Sequence, residues 1–345
     1  MDADIALILV QDGIVNGAVY ALLALSLVLV FSVTRVILIP QGEFVAFGAL
    51  TYAALDAGTV PKSIWLLAAM GVAAFLAGLW SMRHSATGVG FARLAGATLV
   101  LPAVVVVATV LLAGRKLGVV GDAVLTLLIV APMAPYLYKI AFEPLAAASV
   151  LVLLIAAVGT HLALMGIGLV MFGPEGFRAT GFSDAVLSLG SLTVQGQAIW
   201  VVASTVAIMI GLYGFFGHTL VGKALHATAV NRLGARLVGI ATGLSGSIAF
   251  ALTGLIGAFS GILVAPLTTI YYDSGFLMGL KGFVAAIVGG LVSYPVAAAA
   301  ALLIGVIESF STFWASAFKE VIVFTVILPV LLVRSIRSPV AEDEE

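Results

Sequence analysis

The chain has no cysteine. Disulfides, thiol catalysis and Cys-ligated metal or iron–sulfur centres are therefore excluded. Charge is nearly as scarce: Asp, Glu, Lys and Arg make up 9% of residues, hydrophobic residues make up 63%, and mean hydropathy is +1.26. No water-soluble domain of this length sustains that balance. The formal net charge of −1 provides no basic field, so no nucleic-acid partner is expected. The first apolar run lacks a basic leading segment and follows Asp2, Asp4 and Asp12. It reads as a retained first span rather than a cleaved signal peptide.

What the chain does have is long apolar runs. They are continuous rather than short and alternating, which excludes a β-barrel. Backbone groups in lipid must be satisfied internally, so the runs are expected to be helices. The reading is an all-α polytopic membrane protein with about 9–11 transmembrane helices of roughly 18 to 20 residues. Spans are expected near 12–34, 42–58, 63–82, 97–114, 119–139, 145–172, 198–217, 238–267, 281–292, 296–312 and 318–334. A transmembrane domain would then occupy 1–337, followed by a disordered acidic tail over 338–345. The segment 173–197, rich in Gly, Pro and Ser with an alternating end, reads as an external loop carrying a short strand pair. Gly257 and Gly261 form a small-xxx-small pair suited to close helix packing.

The run 281–312 is too long for one ordinary span. Gly289, Gly290, Ser293 and Pro295 lie near its middle. Proline lacks an N–H and disfavours helix at the preceding Tyr294, so a broken helix is expected there, either as two short spans or as a re-entrant hairpin. Broken helices in membranes line a pathway or are buried in protein.

One polar island interrupts the apolar chain, GHTLVGKALHATAVNRLGARLVGI at 217–240. It holds Lys223, Arg232, Arg236, His218 and His226, and no carboxylate. If it is cytoplasmic, alternation puts the N-terminus outside and the C-terminus inside. Arg35, Arg83, His84, Arg93, Lys139, Arg334 and Arg337 then fall inside, and Asp2, Asp4, Glu175 and Asp184 outside. Arg115 and Lys116 run against that trend. The start of the island imitates a phosphate-binding loop, but Ala224 replaces the Mg²⁺-binding hydroxyl and an apolar span, not a strand, precedes it. Helical spacing places Leu225, Ala229, Leu233 and Leu237 in one apolar row, with Thr228, Arg232 and Arg236 in the next.

Intramembrane ionisable residues are functional candidates by default. Glu43 near the start of span 2 suits a pathway role or a helix N-terminus equally. Lys281 and Lys319 sit at span ends, where their stems can snorkel. His161 lies mid-span with no His or carboxylate spaced to join it, so an interhelical hydrogen bond is expected rather than a metal. Nothing resembles a catalytic constellation, so no enzyme and no cofactor are expected.

These residues together resemble the permease subunits of branched-chain amino acid ABC importers. The opening helix Gly13-Ile-Val-Asn-Gly17-Ala-Val-Tyr20-Ala-Leu-Leu-Ala-Leu25, then Phe31 and Arg35, is similar to that family's first helix. Gln41-Gly42-Glu43 resembles its short (His/Gln)-Gly-Glu signature. The stretch from Glu143-Pro144 to Phe172-Gly173 resembles its central elements. Gly222-Lys-Ala-Leu-His-Ala through Arg236-Leu-Val-Gly239-Ile240 resembles its cytoplasmic segment. Lys281-Gly-Phe and Val288-Gly-Gly-Leu-Val-Ser-Tyr-Pro295 resemble its late broken helix. Departures are Leu38, Pro40 and Leu233, an acidic tail in place of a Pro-x-Gly-Leu ending, and an extra stretch at 83–132 that suits an inserted pair of spans.

The resemblance implies a bacterial inner-membrane subunit that moves branched-chain or other apolar amino acids inward. It implies two cytoplasmic ATP-binding subunits, a second homologous permease, a periplasmic substrate-binding protein and surrounding lipid as partners. Gly222, Lys223, His226, Arg232, Arg236 and Gly239 would couple to the ATPases. Gln41, Gly42, Glu43, Lys281, Gly289, Gly290 and Pro295 would belong to the pathway or its structural signature. Urea or short amides are the family-level alternative substrates. A self-sufficient secondary transporter or channel is the alternative outside the family.

Overall fold

A computed structural model describes residues 3–82, 88–115, 117–183, 185–189, 192–326, 328–330 and 332. Asp2, Arg83, His84, Lys116, Asp184, Arg334, Arg337 and the tail 338–345 lie outside the described residues. The apolar runs are helical, and among the described residues eight segments are long and apolar enough to cross a membrane: Asp4–Thr34, Ser63–Ser81, Gly90–Leu112, Gly118–Phe142, Val150–Phe172, Gly196–His218, Thr242–Val264 and Tyr294–Val330. The protein is a polytopic helical membrane protein.

In chain order, α1 is Ala3–Thr34, α2 Gln41–Asp56, α3 Ser63–Met82, α4 Gly88–Ala95, α5 Leu101–Leu112, α6 Gly118–Val130, α7 Met133–Leu137 and α8 Val150–Phe172. A two-stranded antiparallel hairpin follows, β1 Val186–Leu189 and β2 Leu192–Gln195, with Val186 opposite Gln195. The strand pair read from the alternating end of 173–197 is therefore present. Then come α9 Gly196–His218, α10 Leu220–Val230, α11 Arg232–Leu237, α12 Thr242–Val264, α13 Ser274–Val288, α14 Tyr294–Ala315 and α15 Lys319–Thr325.

Two helices at the centre of the bundle are shorter than a full span. α2 has 16 residues and α13 has 15, so each rises only about 22–24 Å against a hydrocarbon core of about 30 Å. After Arg35 the chain turns back as an extended segment, and the Gln41 side chain reaches Ser26 in the interior of α1. α2 starts there and runs to Asp56, whose carboxylate accepts from the Thr180 N–H and hydroxyl at 2.8 Å. α13 starts beside Gly42 and runs the other way, to a turn where Ser32 donates to the Leu291 carbonyl at 3.3 Å. The two first turns meet where Gly42 and Gly275 touch backbone to backbone, leaving no room for a Cβ on either. The sequence reading starts this helix at Lys281; it starts at Ser274, because SGFLMGL continues the helix and leaves Lys281 in its middle.

The bundle closes around this junction through small residues. Gly257 and Gly261 of α12 both face α2, against Phe44 and Gln41 and against Val45 and Ala49. α1 and α14 pack antiparallel, with Gly13 at Val306 and Gly17 at Leu302. The expected break near Pro295 is present: α13 ends at Val288 and Pro295 sits in the first turn of α14. A second break at Ser316–Phe318 separates α14 from α15. Lys281 reaches both Glu308 and Glu320, which a straight helix would hold about 18 Å apart. The chain therefore turns back there.

Candidate functional site

Three groupings of polar residues lie along the bundle. The first is at the junction of the two short helices. Glu43 stands in the first turn of α2 and is buried. Its Oε1 lies 2.6 Å from His161 Nδ1, and the imidazole stacks on Phe276 in the first turn of α13 at 4.5 Å. So His161 makes an interhelical hydrogen bond, but its partner is a carboxylate 118 positions away, which sequence spacing gives no means of finding. Gln41, also buried, donates to Ser26 Oγ at 2.8 Å, while Thr253 donates to the Ser26 carbonyl at 3.2 Å. Gln41 Oε1 and Glu43 Oε2 have no hydrogen-bond partner among the described residues. Two helix N-termini thus converge on a buried carboxylate, the polarity that favours negative charge.

The second grouping corrects a reading of the sequence. Lys281 does not snorkel from a span end. It is buried, with Nζ 2.5 Å from Glu308 Oε1 and 3.3 Å from Glu320 Oε1. Tyr20 donates to Glu308 Oε2 at 2.6 Å, and its ring lies 5.6 Å from the ammonium. Glu320 escapes sequence reasoning because it falls in no recognisable motif, and Tyr20 because nothing in the opening-helix pattern marks its hydroxyl as the partner of a carboxylate 288 positions away. Only the fold brings α1, α13, α14 and α15 to one cation.

The third is the basic island. α9 ends at His218, and Thr219 caps α10 by accepting from the Gly222 N–H at 2.9 Å. Gly222 is buried against the Phe215 carbonyl. This is a helix–cap–helix elbow, not a strand feeding a phosphate loop. The expected apolar row does not run through the island. Asn231 leaves helical geometry (φ −149°, ψ 101°) and caps α11 by accepting from the Gly234 N–H at 2.8 Å. That break rotates the later residues to another face: Leu225 is 1% exposed and Leu233 68%. Thr228 is buried too. Lys223, His226 and Arg236 are exposed, whereas Arg232 donates to the Ala146 carbonyl at 2.9 Å and so fastens α11 to the connection before α8. Gly239 closes α11 with φ +86°, and the Ile240 N–H bonds back to Ala235 O at 2.9 Å, an end only glycine makes without strain.

Gly289, Gly290 and Pro295 form the α13–α14 turn at this same end of the bundle. Of the residues singled out in the sequence, the structure gathers Gln41, Gly42 and Glu43 at the junction. It places Lys281 in the buried ion cluster. It sets Gly222, Lys223, His226, Arg232, Arg236, Gly239 and the 289–295 turn at one end.

Short helices meeting inside a bundle, buried polar groups at their junction and a basic elbow at one end are features that multi-span transporters share. The sequence profile of the branched-chain amino acid transport system / permease component family matches residues 9–331, and the chain belongs to that family. The high-affinity branched-chain amino acid transport system permease protein LivH of Salmonella typhimurium is 28% identical over 204 residues, 56% of this chain and 66% of the relative. LivH of Escherichia coli K12 matches to the same extent. BraD of Pseudomonas aeruginosa is 29% identical over 209 residues, 57% of this chain and 66% of the relative. The chain therefore spans about 66% of the length of the curated relatives it matches. No solved structure matches it.

Proposed function

We propose that the protein is the transmembrane permease subunit of an ATP-binding-cassette importer for branched-chain or other apolar amino acids in a bacterial inner membrane. The family match over residues 9–331 carries this reading. Its partners would be two cytoplasmic ATPases, a second homologous permease and a periplasmic binding protein. The basic elbow is the coupling element, facing the cytoplasm, with the N-terminus outside. Lys223, His226 and Arg236 present donors to acidic groups on an ATPase, and exposed Leu233 and Leu237 supply the apolar part of the contact. Motion of the elbow reaches the core through the Arg232–Ala146 bond and the buried Leu225. Substrate movement follows as alternating access about the α2–α13 junction, driven by ligands that bind one state better than the other.

A self-sufficient secondary transporter is a second reading, favoured by one observation. The Glu43–His161 pair is the kind of intramembrane group that could exchange an ion. Affinity purification of the tagged chain from its native membrane separates the two. Recovery of two ATPase chains, with hydrolysis stimulated by a loaded binding protein, is the expected result. Uptake by the purified chain alone, driven by an ion gradient, would overturn it.

A further inference from the structure

A cavity of about 760 Å³ lies between the elbow and the bundle. Its walls come from the last turns of α1 and α9, from α10 and from the α13–α14 turn. It extends along α1 from Leu25 to the helix end and along α9 from Met209 to His218, about 14 Å in each case. The inner surface is apolar, with Leu25, Val33 and Leu225 buried at its back. Tyr213 and Val292, both exposed, stand at its open side. Its cationic or imidazole groups are Arg35, His218 and His226, and Ser32, Tyr213 and Tyr294 add hydroxyls. No Asp or Glu is among the described residues that line it.

Backbone strain is concentrated here as well. Among the described residues, the only two non-glycine positions with positive φ are Arg35 (62°) and Leu291 (57°). Both line this cavity. Such conformations cost of order 1–3 kcal/mol each and persist where the surroundings over-determine them, commonly at ligand clamps.

The shape and charge select among ligands. A free apolar amino acid carries an ammonium as well as a carboxylate, and this lining offers the ammonium no anionic partner. The volume lies within the range of pockets that bury ligands far larger than one amino acid, about 300–1,000 Å³. A largely apolar slot that carries a guanidinium and imidazoles but no carboxylate among its described lining residues matches an anionic amphiphile. We propose that the cavity holds one acyl chain of an anionic phospholipid, its phosphate set between Arg35 and His218. The lipid is then a packing element between α10 and the bundle, because the cavity has both as walls. This inference rests on the chain's being a membrane protein, and not on which solute it carries.

The test uses the full chain with Tyr213→Trp as a reporter at the cavity mouth, against the unmodified chain as background for its 4 native tryptophans. Both are reconstituted in vesicles containing either brominated phosphatidylglycerol or brominated phosphatidylcholine. The expected result is about a fivefold preference of the reporter site for the anionic lipid, the scale of one basic contact near a membrane surface. Arg35→Gln should remove most of that preference by deleting the charge. Ala229→Phe should remove it by filling the slot with the charges left in place. Equal quenching by the two lipids would mean ordinary annular lipid and would overturn the proposal. So would displacement of the bromolipid by free leucine, which would make the cavity a substrate compartment. Selectivity that emerges only after residues 338–345 are removed would assign the cavity to the acidic C-terminus instead.

Discussion

Lys281 is a buried cation on which four helices converge, and its neighbours differ enough to be ranked. Glu308 is the closer carboxylate, at 2.5 Å with its side chain 10% exposed; Glu320 is 3.3 Å away and 33% exposed. Removing one member of a buried pair strands the other, at about 3–5 kcal/mol, whereas an ion pair that water reaches contributes about 0–1 kcal/mol. Lys281→Met should therefore destabilise the chain by about 3–5 kcal/mol, because Glu308 retains only the Tyr20 hydroxyl. Glu308→Gln should come next, Tyr20→Phe should cost about 1.5–3 kcal/mol for a hydrogen bond to a charged group, and Glu320→Gln less than about 1 kcal/mol. The double variant Lys281→Met/Glu308→Met should be more stable than Lys281→Met alone, since it removes the stranded charge. Equilibrium unfolding in SDS, followed by tryptophan fluorescence, reads the series. Trp314, at the end of α14 and 6.3 Å from Phe310, is well placed to report on this region. If Glu320→Gln cost as much as Glu308→Gln, or the double variant were the least stable, the cluster would not be held together as the geometry implies.

Three further outcomes follow from the same packing. Gly42→Ala or Gly275→Ala should each cost at least about 1–3 kcal/mol, since the new methyl meets backbone that cannot rotate away. Gly166→Ala, with open space around it in α8, should be neutral or stabilising in the same unfolding assay. Glu43→Ala should cost about 1–3 kcal/mol by leaving the buried His161 ring nitrogen without its partner, and Glu43→Gln clearly less; equal losses in folded yield would count against the pair. Arg236→Glu should abolish transport while folded yield is kept. Arg232→Glu should lower both, because Arg232 also holds the Ala146 connection; proteoliposome uptake and gel filtration measure the two quantities separately.

Much of the architecture was legible because lipid imposes one rule on every span. Apolar runs become helices, and Gly with Pro near position 295 breaks one of them. The hairpin before α9 was likewise visible in its alternation. The elbow was legible as a basic, carboxylate-free island, but its facing was not. A continuous i,i+4 row assumes an unbroken helix, and Asn231 prefers to cap the next one. The start of α13, at Ser274 rather than Lys281, was misjudged for a related reason. Hydropathy measures how apolar a segment is, not whether protein or lipid surrounds it, and short helices buried in protein score like short spans.

What the sequence alone determined is therefore the class: cysteine-free, charge-poor, many helices, with breaks and a basic segment at named positions. Those properties depend on neighbours a few residues away and on transfer of side chains into lipid, both of which are written locally. Only the tertiary structure decided which polar residues work together. Glu43 with His161, and Lys281 with Glu308, Glu320 and Tyr20, are contacts between distant segments, and Arg35, His218 and His226 come to line one cavity. The burial that makes a polar group consequential is created by helix packing, and close approach at glycines such as Gly42 and Gly275 sets that packing.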